Sequence, residues 1–174
     1  MKKMWMGILG VLLFVSETWA STTTPLLSSR EYTVGQGDVE VSFFASPRFT
    51  KVGNASSDSF QFNLGANYFM TDILAPGLDF NFVSGGADSF EFIPNIKAYF
   101  PMQTRFLPYM KAGLGYSRFA SQNFLALVLA PGVNYMLSNT VAIGAQLNYE
   151  LGVGSNDNYH FFQVPIQFAL YFRY

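Results

Sequence analysis

The chain contains one histidine, His160, and Ser155 and Asp157 lie a few residues before it. A hydroxyl, an imidazole and a carboxylate are the groups used for acyl transfer: the ring takes the hydroxyl proton and the acid orients the ring. That chemistry requires a base within hydrogen-bond reach of its nucleophile, and spacing along a loop does not supply this. His160 therefore reads first as an ordinary interfacial aromatic residue. Asp157, between Asn156 and Asn158, offers oxygen ligands for Ca²⁺ or for cations bridging lipopolysaccharide, although such clusters are more often solvated turn residues. The chain has no cysteine, which excludes disulfides, thiolate metal sites, thiol catalysis and a lipid-anchored cysteine. One histidine leaves little for a transition metal. Gly85-Gly86 is a turn rather than a phosphate cradle, because no helix follows it. No cofactor is expected.

A second set of polar residues is spread along the chain at alternating positions. Glu40, Asp79, Glu91 and Glu150 are acidic, and Arg48, Lys97, Arg105, Lys111 and Arg173 are basic. Near balance between the two signs suits ion pairs across a narrow interior, since buried charges persist only when paired and hydrogen-bonded.

The elements that would hold these charges have a period of two. In Ser59 to Met70, Phe60, Phe62, Leu64, Ala66, Tyr68 and Met70 share one face, while Gln61, Asn63, Gly65 and Asn67 share the other. A helix would scatter these residues, whereas a strand separates them. The pattern recurs and predicts strands at 38–49, 58–70, 73–84, 88–100, 105–117, 123–136, 140–152 and 159–174. Eight strands is an even number, as a bacterial membrane barrel requires, and each is long enough for a tilted crossing. Connections at Thr71–Asp72, Pro101–Thr104 and Ser138–Asn139 are tighter overall than those at Thr50–Ser57, Ser84–Ala87, Arg118–Gln122 and Val153–Asn158. With the N-terminus in the periplasm, the tighter set faces the periplasm.

Composition agrees with a membrane barrel. The 174 residues are 50% hydrophobic and 18% aromatic but only 12% charged, where soluble domains average about 25% charged. A net charge of −1 offers no basic field for nucleic acid. Lys2 and Lys3, the apolar stretch Met4 to Val15 and Thr18-Trp19-Ala20 have the layout of a secretory signal cleaved after Ala20. The predicted organisation is therefore a signal peptide at 1–20, a polar periplasmic segment at 21–37 and a barrel at 38–174.

Alternation also fits a soluble barrel with its apolar face inside. Against that, the polar face is Asn, Gln, Gly, Ser and Tyr with few charges, a poor water surface. The apolar face is aromatic near the strand ends, with Tyr68, Phe100, Phe106, Tyr135 and Tyr174 at one end and Phe82, Phe90, Tyr116, Tyr149 and Phe162 at the other. Two such girdles flank the lipid-facing band of an outer-membrane barrel. Glycines on the inward face, Gly65, Gly77, Gly113, Gly115, Gly132 and Gly144, either free space for Tyr99, Tyr109 or a long cation, or relieve strand curvature.

Phe92-Ile93-Pro94-Asn95 through Tyr99-Phe100, followed by Pro108-Tyr109-Met110-Lys111-Ala112-Gly113-Leu114-Gly115-Tyr116, resembles the corresponding hairpin of OmpW-like barrels. Residues 38–174 as a whole resemble the small outer-membrane barrels of the OmpX/OmpA and OmpW types. Gln167 through Tyr174 is similar to the signal read by the barrel-assembly machinery, with Gln167 as the polar residue, Phe172 in the apolar alternation, Ala169 where glycine is usual and Tyr174 where phenylalanine is usual. The connections are shorter than in OmpX-like adhesins, and the lumen is more charged than the apolar channel of OmpW-like proteins. The resemblance implies an all-β, eight-stranded antiparallel up-and-down transmembrane β-barrel. Its expected partners are outer-membrane lipid, lipopolysaccharide and the assembly machinery, and it is expected to be a monomer. Three functions follow in order: a structural or surface barrel with a filled, charge-paired lumen and no enzyme activity; a narrow channel for small solutes or hydrophobic molecules; and a lipid A-modifying enzyme resting on His160.

Overall fold

The computed structural model describes residues 34–52, 55–85, 89–102, 104–119, 122–154 and 158–173, with the side chains of 48–52, 55–58 and 119 excepted. The predicted signal peptide, most of the polar segment, Ser155, Asn156, Asp157, Tyr174 and the Arg48 side chain lie outside these residues.

The strands are β1 (Asp38–Val52), β2 (Ala55–Tyr68), β3 (Leu74–Ser84), β4 (Ser89–Tyr99), β5 (Phe106–Phe119), β6 (Gln122–Met136), β7 (Val141–Gln146), β8 (Asn148–Gly154), β9 (Asn158–Gln163) and β10 (Ile166–Arg173). Neighbouring strands pair antiparallel throughout, and β1 pairs with β10 to close the sheet.

Ten segments make eight staves, because two staves are interrupted by proline chemistry. β7 and β8 lie end to end along β6, with Gly132 opposite Gln146 and Leu129 opposite Tyr149, so the register does not slip. The break falls at Leu147, whose N–H donates to the Pro131 carbonyl at 2.8 Å. Pro131 has no N–H to return the bond. β9 and β10 meet at Val164-Pro165 and lie along one stretch of β1 that contains Pro47, again in a single register. The result is the expected eight-stranded closed antiparallel barrel.

The strands run further than the sequence suggests at the end opposite the termini, here the loop end. β1 and β2 stay paired out to Val52 opposite Ala55, and β5 and β6 out to Phe119 opposite Gln122. Most of Thr50–Ser57 and Arg118–Gln122, read from sequence as loops, is therefore strand. The serines and threonines there hide the alternation, but backbone pairing does not depend on it. As a result the connections at the loop end are no longer than the turns at the terminal end.

The hydrogen-bonded partners can be followed once around. From Glu40 they run through Asn67, Gly77, Asn95, Gly113, Val128, Glu150 and Phe161, and return to β1 at Thr50, ten residues from the start. A stagger of ten over eight strands gives a tilt of about 40° and a backbone radius of about 8 Å. Side chains fill an interior of that width.

The apolar face points outward. Phe60, Phe62, Leu64, Phe82, Leu125, Ile166 and Phe168 are all exposed, while Glu40, Glu91, Glu150, Gln61 and Gln167 are buried. This is the reverse of a soluble barrel.

Residues 34–37 belong with the barrel mouth rather than with a free tail. Gly37 adopts φ +90°, open to glycine at no steric cost, and its N–H donates to the Phe69 carbonyl at 2.9 Å. The turn carries Val34 into a buried cluster with Phe69, Tyr99, Tyr109 and Tyr171.

Candidate functional site: the barrel lumen

Lys97 on β4 and Lys111 on β5 are direct cross-strand neighbours on the inner face. Like charges in that position repel. Each lysine instead reaches its own carboxylate. Lys97 donates to Glu40 on β1, which also accepts from the Tyr99 hydroxyl. Lys111 donates to Asp79 on β3 at 2.9 Å. Two ammonium groups and two carboxylates thus form a buried quartet, and the Lys97 ammonium also lies 5.1 Å from the Tyr109 ring centre.

Around the quartet the terminal half of the lumen is packed and densely hydrogen-bonded, with Asn67 Oδ1 and Gln146 Nε2 the buried polar atoms there that find no partner among the described residues. Gln167 donates to the Tyr109 hydroxyl and to Asn134, both at 2.8 Å. Tyr109 donates to Gln146 at 3.0 Å, and Asn134 donates to the Tyr171 hydroxyl at 2.7 Å. Phe69 stacks on Tyr99, with ring centres 4.9 Å apart. Gly132 makes room for this layer, since a Cβ there would lie 2.4 Å from the Tyr109 ring. Gly65 does the same for Asp79, whose carboxylate would meet a Cβ at 2.4 Å. At these two positions the space is occupied by side chains, which resolves the two readings of the inward glycines.

The loop half is built differently. Asn63 donates to Asn81 at 2.7 Å, and Asn81 donates to Glu91 at 2.9 Å. Ser117 also donates to Glu91, at 3.3 Å, and the Tyr159 hydroxyl donates to Glu150. Phe124, Tyr159 and Phe161 form a small buried cluster there. The amides of Gln61 and Gln163, and the Asn148 side-chain oxygen, are buried without a partner among the described residues.

Of the charges expected inside, Glu40, Asp79, Glu91, Lys97, Lys111 and Glu150 are buried in the lumen. Arg105 and Arg173 are not. Arg105 is exposed just before β5 begins at Phe106. Arg173 sits at the mouth with its side chain 66% exposed, and its guanidinium donates to Asp38 at 3.0 and 3.2 Å. Alternation assigns these arginines the inward parity, but at a strand end a long side chain turns to water. Of the residues expected to form an assembly signal, Gln167 and Ala169 point inward and Phe172 outward. Sequence reasoning missed Asp38 as the mouth acid and missed Phe44, Phe124, Tyr159, Phe161 and Tyr171 as inward aromatics. Parity with neighbouring polar residues, such as Tyr171 with Gln167, was the available signal.

His160 faces outward and is exposed, and its Nδ1 is hydrogen-bonded to the Tyr149 hydroxyl at 2.9 Å. Among the described residues no three His, Cys, Asp or Glu side chains gather at one point.

Solved structures share this architecture. Neisserial surface protein A covers 79% of the chain and 98% of its own length at 17% identity, with a TM-score of 0.64. The N-terminal β-barrel domain of Pseudomonas aeruginosa OprF covers 80% and 100% at 16% identity, with a TM-score of 0.61. Ail, the attachment invasion locus protein of Yersinia pestis, covers 79% and 99% at 15% identity, with a TM-score of 0.57. At these identities the likeness is one of fold. A search of curated proteins finds no match. The family model for the outer membrane protein beta-barrel domain matches residues 7–169. The chain belongs to that family, and its location is the outer membrane.

Proposed function

We propose that this protein is a non-enzymatic, monomeric barrel of the outer membrane, exported by a leader cleaved after Ala20, whose closed lumen makes it a structural and surface component rather than a conduit. The observation that carries this reading is the terminal half of the lumen. There the Lys97–Glu40 and Lys111–Asp79 pairs, the Tyr109–Gln167–Asn134–Tyr171 network and the Phe69–Tyr99 stack fill the cross-section. A backbone radius of about 8 Å leaves no bore once such side chains are in place. The His160–Tyr149 pair on the outer face engages the ring nitrogen that an orienting acid would need, which supports the non-enzymatic reading.

A second reading, a narrow channel, is favoured by one observation: Gln61 and Gln163 lie inside with amides that no described residue satisfies, as suits a lumen holding water. Planar-bilayer recordings of the refolded chain separate the two. A closed barrel gives no current steps at any salt concentration. Reproducible steps that change in Lys97→Ala or Glu91→Ala would establish the channel instead.

A further inference from the structure

We propose that the outer face of β4, β5 and β6 binds one molecule of lipid A from the leaflet at the loop end, with Arg118 on a phosphate and an acyl chain along a groove floored by Ala112. The proposal rests on the outer-membrane orientation above, termini in the periplasm, but not on whether the lumen conducts.

Arg118 lies on the outward face of β5 at the loop end, opposite Phe90 on one side and Asn123 on the other. Among the described residues, Lys97, Lys111 and Arg173 each hold a carboxylate, while Arg118 holds none. An exposed guanidinium at the edge of an apolar band seeks an anion in the headgroup layer. Beside it, the Tyr116 hydroxyl donates to the Asn123 carbonyl oxygen at 2.7 Å, which leaves the Asn123 amide NH₂ to donate outward. A guanidinium and a neutral amide side by side suit a phosphorylated sugar better than a bare phosphodiester.

Further down the same strand is a groove. Ala112 sits directly opposite Ile96, and Pro94 and Leu114 flank them, so a short side chain lies between taller apolar walls. All four are exposed on the lipid face. From Arg118 to Ala112 is six residues, about 20 Å along a strand. At a tilt of about 40° that projects to about 15 Å of depth, half the thickness of a hydrocarbon core. A lipid whose phosphate meets Arg118 therefore reaches Ala112 with the end of its chain. The groove is continuous with the lipid-facing band, and its one cation stands where a headgroup lies.

The test is native mass spectrometry of the folded, detergent-solubilised protein titrated with purified lipid A, and separately with phosphatidylglycerol. Folding of each variant is checked first by its heat-dependent gel shift. One lipid A per wild-type barrel is expected, with Arg118→Glu weakening it about tenfold. Ala112→Leu, which fills the groove, is expected to weaken it while leaving the charge in place. Arg105→Glu, at the opposite end, is expected to leave it unchanged. Binding of lipid A by Arg118→Glu as tight as wild type, or equal binding of phosphatidylglycerol, would overturn the assignment. Conductance in bilayers is read independently, so a conducting barrel that holds lipid A refutes the closed lumen and not this site.

Discussion

The two halves of the lumen hold their buried polar groups with different partners. At the terminal end each buried ammonium has its carboxylate and each buried tyrosine hydroxyl named above has a partner. At the loop end Glu91 accepts from Asn81 and Ser117 and Glu150 accepts from Tyr159, and the buried amides of Gln61 and Gln163 make no hydrogen bond to a described residue. A saturated hydrogen-bond network in a narrow interior fixes side chains and excludes water. An unsaturated one needs water to avoid the penalty of stranded polar atoms. We read the barrel as a cup: locked by ion pairs at the terminal end and wettable at the loop end.

Removing a charge from the locked half has the largest expected effect. Lys97→Met leaves Glu40 buried without its ammonium and costs about 3–5 kcal/mol. Urea unfolding of the barrel in lipid, followed by circular dichroism, measures this, and a loss under about 1 kcal/mol would show that water already reaches Glu40. Next comes Gly132→Ala. The added Cβ would meet the Tyr109 ring at 2.4 Å, and that ring is held by Gln146 and Gln167. The ring cannot swing away cheaply, so the cost is about 1–3 kcal/mol in the same assay. The smallest effect belongs to the loop half. Gln61→Leu with Gln163→Leu removes amides that no described residue satisfies, and stability is expected to change by less than about 1 kcal/mol. A loss comparable to Lys97→Met would erase the distinction between the halves.

Much of this was legible in the sequence. Strand alternation such as Phe60, Phe62, Leu64 against Gln61, Asn63, Gly65 fixes which side chains face lipid, because one residue of slip would reverse every one of them. The stave count was legible for the same reason, and the breaks at Leu147 and Pro165 leave the register untouched. Pairing partners were not legible. Lys97 could have met any inward acid. Its choice of Glu40, 57 residues away, follows from the tilt and closure of the whole barrel. Aromatics were hard to sort because Phe and Tyr line both faces: Phe161 is buried while Phe162 is exposed. Strand ends misled most, since Arg105 and Arg173 keep the inward parity yet lie where water competes.

Because the chain has no cysteine, single cysteines can map the cup without background labelling. Ala169 is fully buried in the terminal half, and Ser89 lies on the inner face near the loop end. Folded barrels carrying Ala169→Cys or Ser89→Cys, reconstituted in liposomes, would be exposed to a water-soluble, membrane-impermeant maleimide on both sides. Ser89→Cys is expected to label, and Ala169→Cys to stay unreactive until the barrel is unfolded. Rapid labelling of Ala169→Cys in the folded barrel would contradict that expectation, because the terminal half of the lumen would then be open to water.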